Sequence, residues 1–237
     1  MSDYTEVAII AAMEREIAPL IGNWALILAH SRRLYENGHV VAVAGGIGER
    51  SAAIATEKFL AFRQPKVILS VGLAGSLTPA LAVGTVFVPT KVLRQDAEQA
   101  FTIHKGEAIL LTAKETASPA KKKEWAERYQ AQAVDMEAAA VAEVAARNGI
   151  RFAAVKAISD GPDFPMPLLD PFVAEDGQFH TGRLLAHAAI RPAMWSTLLQ
   201  LRRNSGLATN ALCGVLSRIR SAADVDELLE ARAARAS

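Results

Sequence analysis

Cysteine is nearly absent from this chain. Cys213 stands alone among 237 residues, so no internal disulfide can staple the fold, as suits a reducing cytosol. Long apolar runs are missing too. None approaches the roughly 20 residues that span a bilayer. The first apolar stretch is short and flanked by Glu6 and Glu14, which does not make a secretory signal, and a cytoplasmic location is expected. Charge of one sign is not in excess: 26 Lys and Arg face 25 Asp and Glu, so global charge gives no argument for a nucleic-acid partner. Several motifs are also lacking. No glycine-rich run ends in the Lys-Ser/Thr that cradles nucleotide phosphates. Gly46-Ile47-Gly48 is not completed to a dinucleotide fingerprint, because Ser51 stands where the third glycine belongs. His30, His39, His104, His180 and His187 have no metal-ligand spacing, and neither a metal nor a cofactor is expected. Ser159 is not in a nucleophile elbow.

What is present suits one large domain: hydrophobic residues make up 51% and charged residues 22%. Continuous apolar runs at Val7–Ala12, Val40–Ala44, Val67–Val71 and Phe152–Ile158 read as strands buried on both faces. Shorter strands are expected within Gly84–Pro89 and Ala108–Thr112. Helices are expected over about Arg50–Phe62, Ala120–Gln130 (a charged surface helix) and Met136–Arg147, the last closed by Asn148-Gly149. Leu93–Gly106 reads as an irregular excursion. Strands alternating with helices imply an α/β fold, a three-layer α/β/α sandwich on a central, largely parallel but mixed sheet. It forms a single domain over 1–237 with a helical C-terminal segment over 181–237. In such folds ligands gather beyond the carboxyl ends of the strands.

Acidic residues and glycines fall at those ends. Asp160 follows the strand Phe152–Ile158 directly, where it can be a turn residue or a carboxyl that meets a ligand. Partial burial there would raise its pKa and favour a protonated acid. Asp135-Met136-Glu137 opens a helix, as a cap or as a sugar-binding pair in which Glu137 accepts from hydroxyls. Glu16 opens a helix after the first strand, as a solvated acid or as a base that holds water. The turns Gly45–Gly48 and Gly72–Gly75 let backbone approach a ligand closely. Three carboxyl groups at strand ends suit cleavage of a purine glycosidic bond. That reaction needs a protonated leaving base, a tolerated positive charge on the sugar, and a nucleophile at the anomeric carbon.

Five motifs occur in one order: Val7–Glu16, Gly46-Ile47-Gly48, Gly72-Leu73-Ala74-Gly75, Val134–Ala138 and Ala157-Ile158-Ser159-Asp160. Together they resemble the methylthioadenosine/S-adenosylhomocysteine nucleosidases of the nucleoside phosphorylase superfamily, over about residues 6 to 165. The resemblance implies that Glu16 activates water and Asp160 protonates the purine. It implies that Met136 and Glu137 bind the sugar, and that Gly75, Ala74, Ile47 and Ser159 belong to the substrate-binding wall. It also implies a purine nucleoside substrate and, commonly, a homodimer. The departures are Leu73 for a usual serine, no aromatic residue around Thr116-Ala117, and Lys156 for an expected arginine. The span from Lys91 to Asp135 is shorter too, which suggests a more open pocket around the 5′ substituent.

The tail, from Asp176-Gly177-Gln178-Phe179 through Arg191-Pro192 to Arg203, is similar to that of hopanoid-associated phosphorylases. Three readings follow. The first is hydrolysis of an adenosine-type nucleoside with release of adenine, favoured because Glu16 can handle water. The second is phosphorolysis of a 5′-substituted adenosine such as a hopanoid-linked nucleoside, with phosphate as co-substrate and Arg50 as the nearest candidate to hold it. The third is a non-catalytic nucleoside-binding module. No Asp or Glu occurs between Gly177 and Ala223, whereas Arg183, Arg191, Arg202, Arg203, Arg218 and Arg220 do. This basic, apolar stretch either covers the sheet or makes weak contact with an anionic membrane surface.

Overall fold

The computed structural model describes residues 4–29, 32–97, 99–165 and 195–233. Among the described residues eleven strands form one mixed sheet. Its centre is parallel: β1 (Val7–Ala11) lies between β4 (Val40–Ala44) and β5 (Val67–Ser76), and β11 (Arg151–Asp160) runs parallel to β5 on its other side. Antiparallel neighbours extend one end, where β2 (Ala25–Ala29) and β3 (Arg32–Asn37) lead into β4. The other end carries β10 (Ala133–Asp135), β9 (Ile109–Thr112), β7 (Lys91–Arg94) and β8 (Ala100–Thr102), while the short β6 (Val86–Phe87) pairs with β11.

Alternation along β1 shows why the run is apolar throughout. Val7, Ile9 and Ala11 enter one core with Ile17 of α1 (Glu14–Ile21) and Leu212 of α5 (Trp195–Leu216). Ala8 and Ile10 enter another with Phe59 of α2 (Glu49–Leu60) and Val141 of α4 (Ala138–Arg147). A strand covered on both faces has no position at which a polar residue is cheap. Cys213 is buried at the first of these cores, and its thiol reaches the Glu16 backbone oxygen at 3.6 Å, tying α5 to α1. Helix α6 (Ala222–Ala233) closes the described chain, and α5 and α6 are the helices described over 195–233. The rest of the 181–237 segment, the tail motif from Asp176 to Arg191 and the histidines 30, 180 and 187 lie outside the described residues.

Several expected elements need correction. The glycines 72 and 75 lie inside β5, which runs on to Ser76, because β11 and β10 supply it with partners there. The excursion over 93–106 includes the end of β7 and all of β8. Strand β2 is apolar but largely exposed at the sheet edge, and β3 carries the polar residues of an edge neighbour; neither was expected. Helix α4 begins at Ala138, leaving Met136 and Glu137 in the turn before it. Helix α3 (Pro119–Tyr129) is not simply a surface helix: Trp125 packs against Leu77, Leu111 and Val134, and Lys122 is fully buried.

Among the described residues no helix is long and apolar enough to cross a membrane, and no group of three or more His, Cys, Asp or Glu could hold a metal ion.

Candidate active site

The carboxyl ends of β1, β5, β10 and β11 surround a cavity of about 180 Å³. Glu16, Glu137 and Asp160 all line it, and so do Ile47, Ala74, Gly75, Met136 and Ser159. Arg50 does not. It is exposed on α2.

Each carboxyl group is placed by a different device. Glu16 sits in the first turn of α1 and reaches back so that its Oε2 accepts from the Met13 backbone N–H at 3.3 Å. It is buried, and desolvation pushes its pKa up to about 7, partly opposed by the positive charge of Lys156. Glu137 precedes α4 without capping it. Its Oε1 accepts from the Gly48 backbone N–H at 2.9 Å. Gly48 has φ +89°, a conformation a side chain would resist, and this aims its N–H across the site. Loss of solvent and the nearby Asp135 charge raise the Glu137 pKa to about 7, with Lys156 and the Gly48 N–H pulling the other way.

Asp135 performs the capping. Its Oδ2 accepts from the Ala138 N–H at 2.9 Å and its Oδ1 from Thr112 Oγ1 at 2.7 Å. Lys156 Nζ, in the middle of β11, lies 2.8 Å from Asp135 Oδ2 and donates to Ser70 Oγ at 3.1 Å. Burial works against the Lys156 charge, but Asp135, Glu137 and Glu16 outweigh it and raise its pKa. One buried cation therefore serves three carboxyl groups. Asp135 takes it directly, and Glu16 and Glu137 are left to titrate near neutrality.

Asp160 is positioned by an irregularity. Ile158 pairs with Ala74, but after a register shift Asp160 comes opposite Gly75 instead of Ser76. Bulges of this kind re-aim side chains at sites. Gly75 leaves the room required: a Cβ there would fall 3.0 Å from Asp160 Oδ2 and 3.4 Å from Lys122 Nζ. Ser159 Oγ donates to Asp160 Oδ1 at 2.7 Å, and Lys122 Nζ makes a buried ion pair with Asp160 Oδ2. Lys122 also donates to the Gly161 backbone oxygen at 2.7 Å.

Sequence reasoning missed Lys122 altogether, and took Lys156 only as a departure from an expected arginine. Within Lys121-Lys122-Lys123 both Lys121 (i, i+4) and Lys122 (i, i+3) share a helical face with Trp125, so spacing alone does not single out the buried lysine. Nothing local marks Lys156 as the partner of Asp135, which lies on another strand.

Residues 6–119 and 112–181 match the sequence profile of the Phosphorylase superfamily. The chain belongs to that superfamily. Within it, the chain is similar to 5′-methylthioadenosine/S-adenosylhomocysteine nucleosidases. One from Glaesserella parasuis is 27% identical over 67% of this chain and 86% of its own length. One from Anoxybacillus flavithermus is 28% identical over 65% and 84%. Among solved structures, the Helicobacter pylori nucleosidase bound to butyl-thio-DADMe-Immucillin-A superposes with a TM-score of 0.64 at 17% identity, covering 91% of this chain and 99% of that one. The futalosine hydrolase of the same organism gives 0.64 at 18%, covering 94% and 98%. At these identities the superpositions establish a shared fold: the mixed sheet flanked by helices is that of the phosphorylase superfamily.

Proposed function

We propose that this member of the phosphorylase superfamily hydrolyses the N-glycosidic bond of an adenosine-type nucleoside and releases adenine. The observation that carries the reading is the meeting of Glu16, Glu137 and Asp160, from three distant parts of the chain, around one cavity. The similarity to the methylthioadenosine/S-adenosylhomocysteine nucleosidases supports the same substrate class.

In this reading the base lies on the Asp160 side of the cavity and the sugar on the Glu137 side. Glu137 accepts hydrogen bonds from sugar hydroxyls, and Met136 packs on the ring. Glu16, poised near pH 7, takes a proton from water as the oxygen bonds to the anomeric carbon. The electron pair of the broken bond passes to the purine, which leaves neutral after receiving a proton on the Asp160 side. Ile47, Ala74, Gly75 and Ser159 complete the wall.

Water is preferred to phosphate as nucleophile. A base poised near pH 7 lies at the cavity, and Arg50, the candidate to hold phosphate, is not in its wall. A homodimer and a cytoplasmic location belong to the same reading, on the resemblance to the nucleosidases.

Adenine release from methylthioadenosine, S-adenosylhomocysteine and adenosine, with and without phosphate, tests it. Release independent of phosphate is expected from at least one. Phosphate-dependent formation of a sugar 1-phosphate would replace hydrolysis by phosphorolysis. No release from any would leave a binding module or a nucleoside with a larger 5′ group.

A further inference from the structure

A carboxyl group that protonates a leaving base must carry a proton on an oxygen facing that base. In this structure Asp160 Oδ1 accepts from Ser159, and Oδ2 accepts from the Lys122 ammonium group. Both oxygens are acceptors. The hydrogens at this end of the cavity belong to Lys122, whose side chain is 2% exposed.

A lysine buried so far is costly unless its charge is matched and its N–H groups are used. Helix α3 holds it there. Ser118 caps the helix by accepting from the Lys121 N–H at 3.3 Å, and Pro119 opens the first turn. Trp125, one turn on, anchors the same face in the core. Two of the three ammonium hydrogens go to Asp160 and to the Gly161 oxygen. One donor remains by count, on a residue that lines the cavity. The Asp160 oxygens each have two lone pairs and keep spare accepting capacity.

The pair thus offers one donor and one acceptor side by side. Adenine carries the complement on its N7 edge, where N7 accepts and the N6 amino group donates. A 6-oxopurine has two acceptors on that edge and would set its O6 against the Asp160 carboxylate.

We propose that Lys122 is the catalytic acid, donating a proton from Nζ to N7 of the departing adenine, while Asp160 remains a carboxylate and accepts from the N6 amino group. The inference rests on the nucleosidase reading above and reassigns its proton donor. The step balances. The C1′–N9 bond breaks and its electrons enter the purine, N7 gains the Lys122 proton, and neutral adenine leaves. Water bonds to C1′ and gives its proton to Glu16. Solvent then returns a proton to Lys122 and removes one from Glu16.

The test is a binding cycle that needs no turnover. Adenine and 7-deazaadenine, which lacks the N7 acceptor, are titrated calorimetrically into wild-type protein and Lys122→Met. Wild type is expected to prefer adenine by at least about tenfold, and Lys122→Met is expected to lose most of that preference. Lys122→Leu, which also removes the donor, is read the same way should the Met variant not fold. A purely structural role would weaken both bases alike and leave the preference intact, which would overturn the proposal. So would a wild type that does not discriminate. In parallel, Lys122→Met should lower kcat for adenine release by roughly a hundredfold or more, the ordinary contribution of a general acid. An unchanged kcat would also overturn it. Absence of adenine release from wild type, with the binding preference present, would count against the hydrolase reading and leave the Lys122–N7 contact standing.

Discussion

The Glu137 end and the Asp160 end of the cavity each adjoin a buried lysine paired with an aspartate, and the two pairs are built differently. Lys156 rises from the middle of a central strand, does not line the cavity, and meets an Asp135 already held by Thr112 and by the first N–H of α4. Lys122 comes from a peripheral helix, lines the cavity, and meets an Asp160 held by its neighbour Ser159. In the first pair Lys156 gives two of its N–H groups to Asp135 and Ser70 and lies outside the cavity wall. It acts on the site through charge, setting how Glu16 and Glu137 titrate. The second keeps capacity in hand where a ligand would lie. On the proposed mechanism, one ion pair serves as scaffold and the other as chemistry, according to whether its lysine lines the cavity.

The largest expected effect breaks the first pair. Lys156→Met leaves Asp135, Glu137 and Glu16 without their shared cation. Removing one partner of a buried pair costs about 3–5 kcal/mol. Denaturant unfolding should show a loss of that order. Lys122→Met should cost visibly less, because it leaves one carboxyl group without its cation, not three. Equal losses would erase the distinction between the two pairs.

Asp160→Asn should fold and lose roughly a hundredfold or more of base release. An amide cannot reproduce the carboxylate that holds Lys122 and receives the base. Wild-type turnover of a cleavable substrate in that variant would remove Asp160 from the site.

At the sugar end, Glu137→Gln should weaken ground-state binding by about 1.5–3 kcal/mol, the worth of hydrogen bonds to a charged acceptor. The loss should shrink for a 2′-deoxy substrate if the 2′-hydroxyl is the partner, and a comparison of KM on the two substrates decides this.

A smaller effect concerns pH. Glu16 and Glu137 have folded pKa values of about 7 against 4.5 for an unperturbed glutamate, so the folded state binds protons more tightly than the unfolded chain. Stability from these groups is fully present below about pH 4.5 and declines as pH rises through 7. Glu16→Gln should flatten that decline in thermal melts between pH 5 and 8 (roughly the window set by these values). Hydrolysis, which needs ionised Glu16, should rise with pH over the same range.

The smallest effect lies far from both pairs. Trp195 and Leu199 on α5 are exposed, beside the exposed Arg202 and Arg203. Weak, salt-sensitive binding to anionic vesicles is expected, at about 1 kcal/mol per basic residue near the surface. Co-sedimentation should weaken when Arg202 and Arg203 become Glu, and wild-type protein that stays in the supernatant at low salt would refute the contact.

Much was legible before any coordinates. Runs such as Val7–Ala11 and Val67–Val71 read as doubly covered strands because burial on both faces excludes polar residues. The carboxyl-end rule then placed Glu16, Glu137 and Asp160 in one region. Strands β3, β7 and β8 escaped because polar residues interrupt them or they are short, whereas β2 (Ala25–Ala29) is an apolar run that escaped too and is largely exposed at the sheet edge. The N-terminus of α4 was set two residues too early because Asp135, not Glu137, supplies the cap.

Local patterning determined the α/β class and the buried strands, since these follow from burial and from the strand–helix order, and the ordered five-motif resemblance singled out Glu16, Glu137 and Asp160. Tertiary structure alone decided the charge partners. Lys122 lies 38 positions before Asp160 in the chain, and Lys156 lies 21 after Asp135. Lys156 of β11 reaches Asp135 of β10 through the pairing of both strands with β5, and Lys122 reaches Asp160 because Trp125 anchors α3 on Leu77, Leu111 and Val134 beside the register shift opposite Gly75. Electrostatic partnership depends on distance and dielectric in three dimensions, and neither can be read from spacing along a strand or helix.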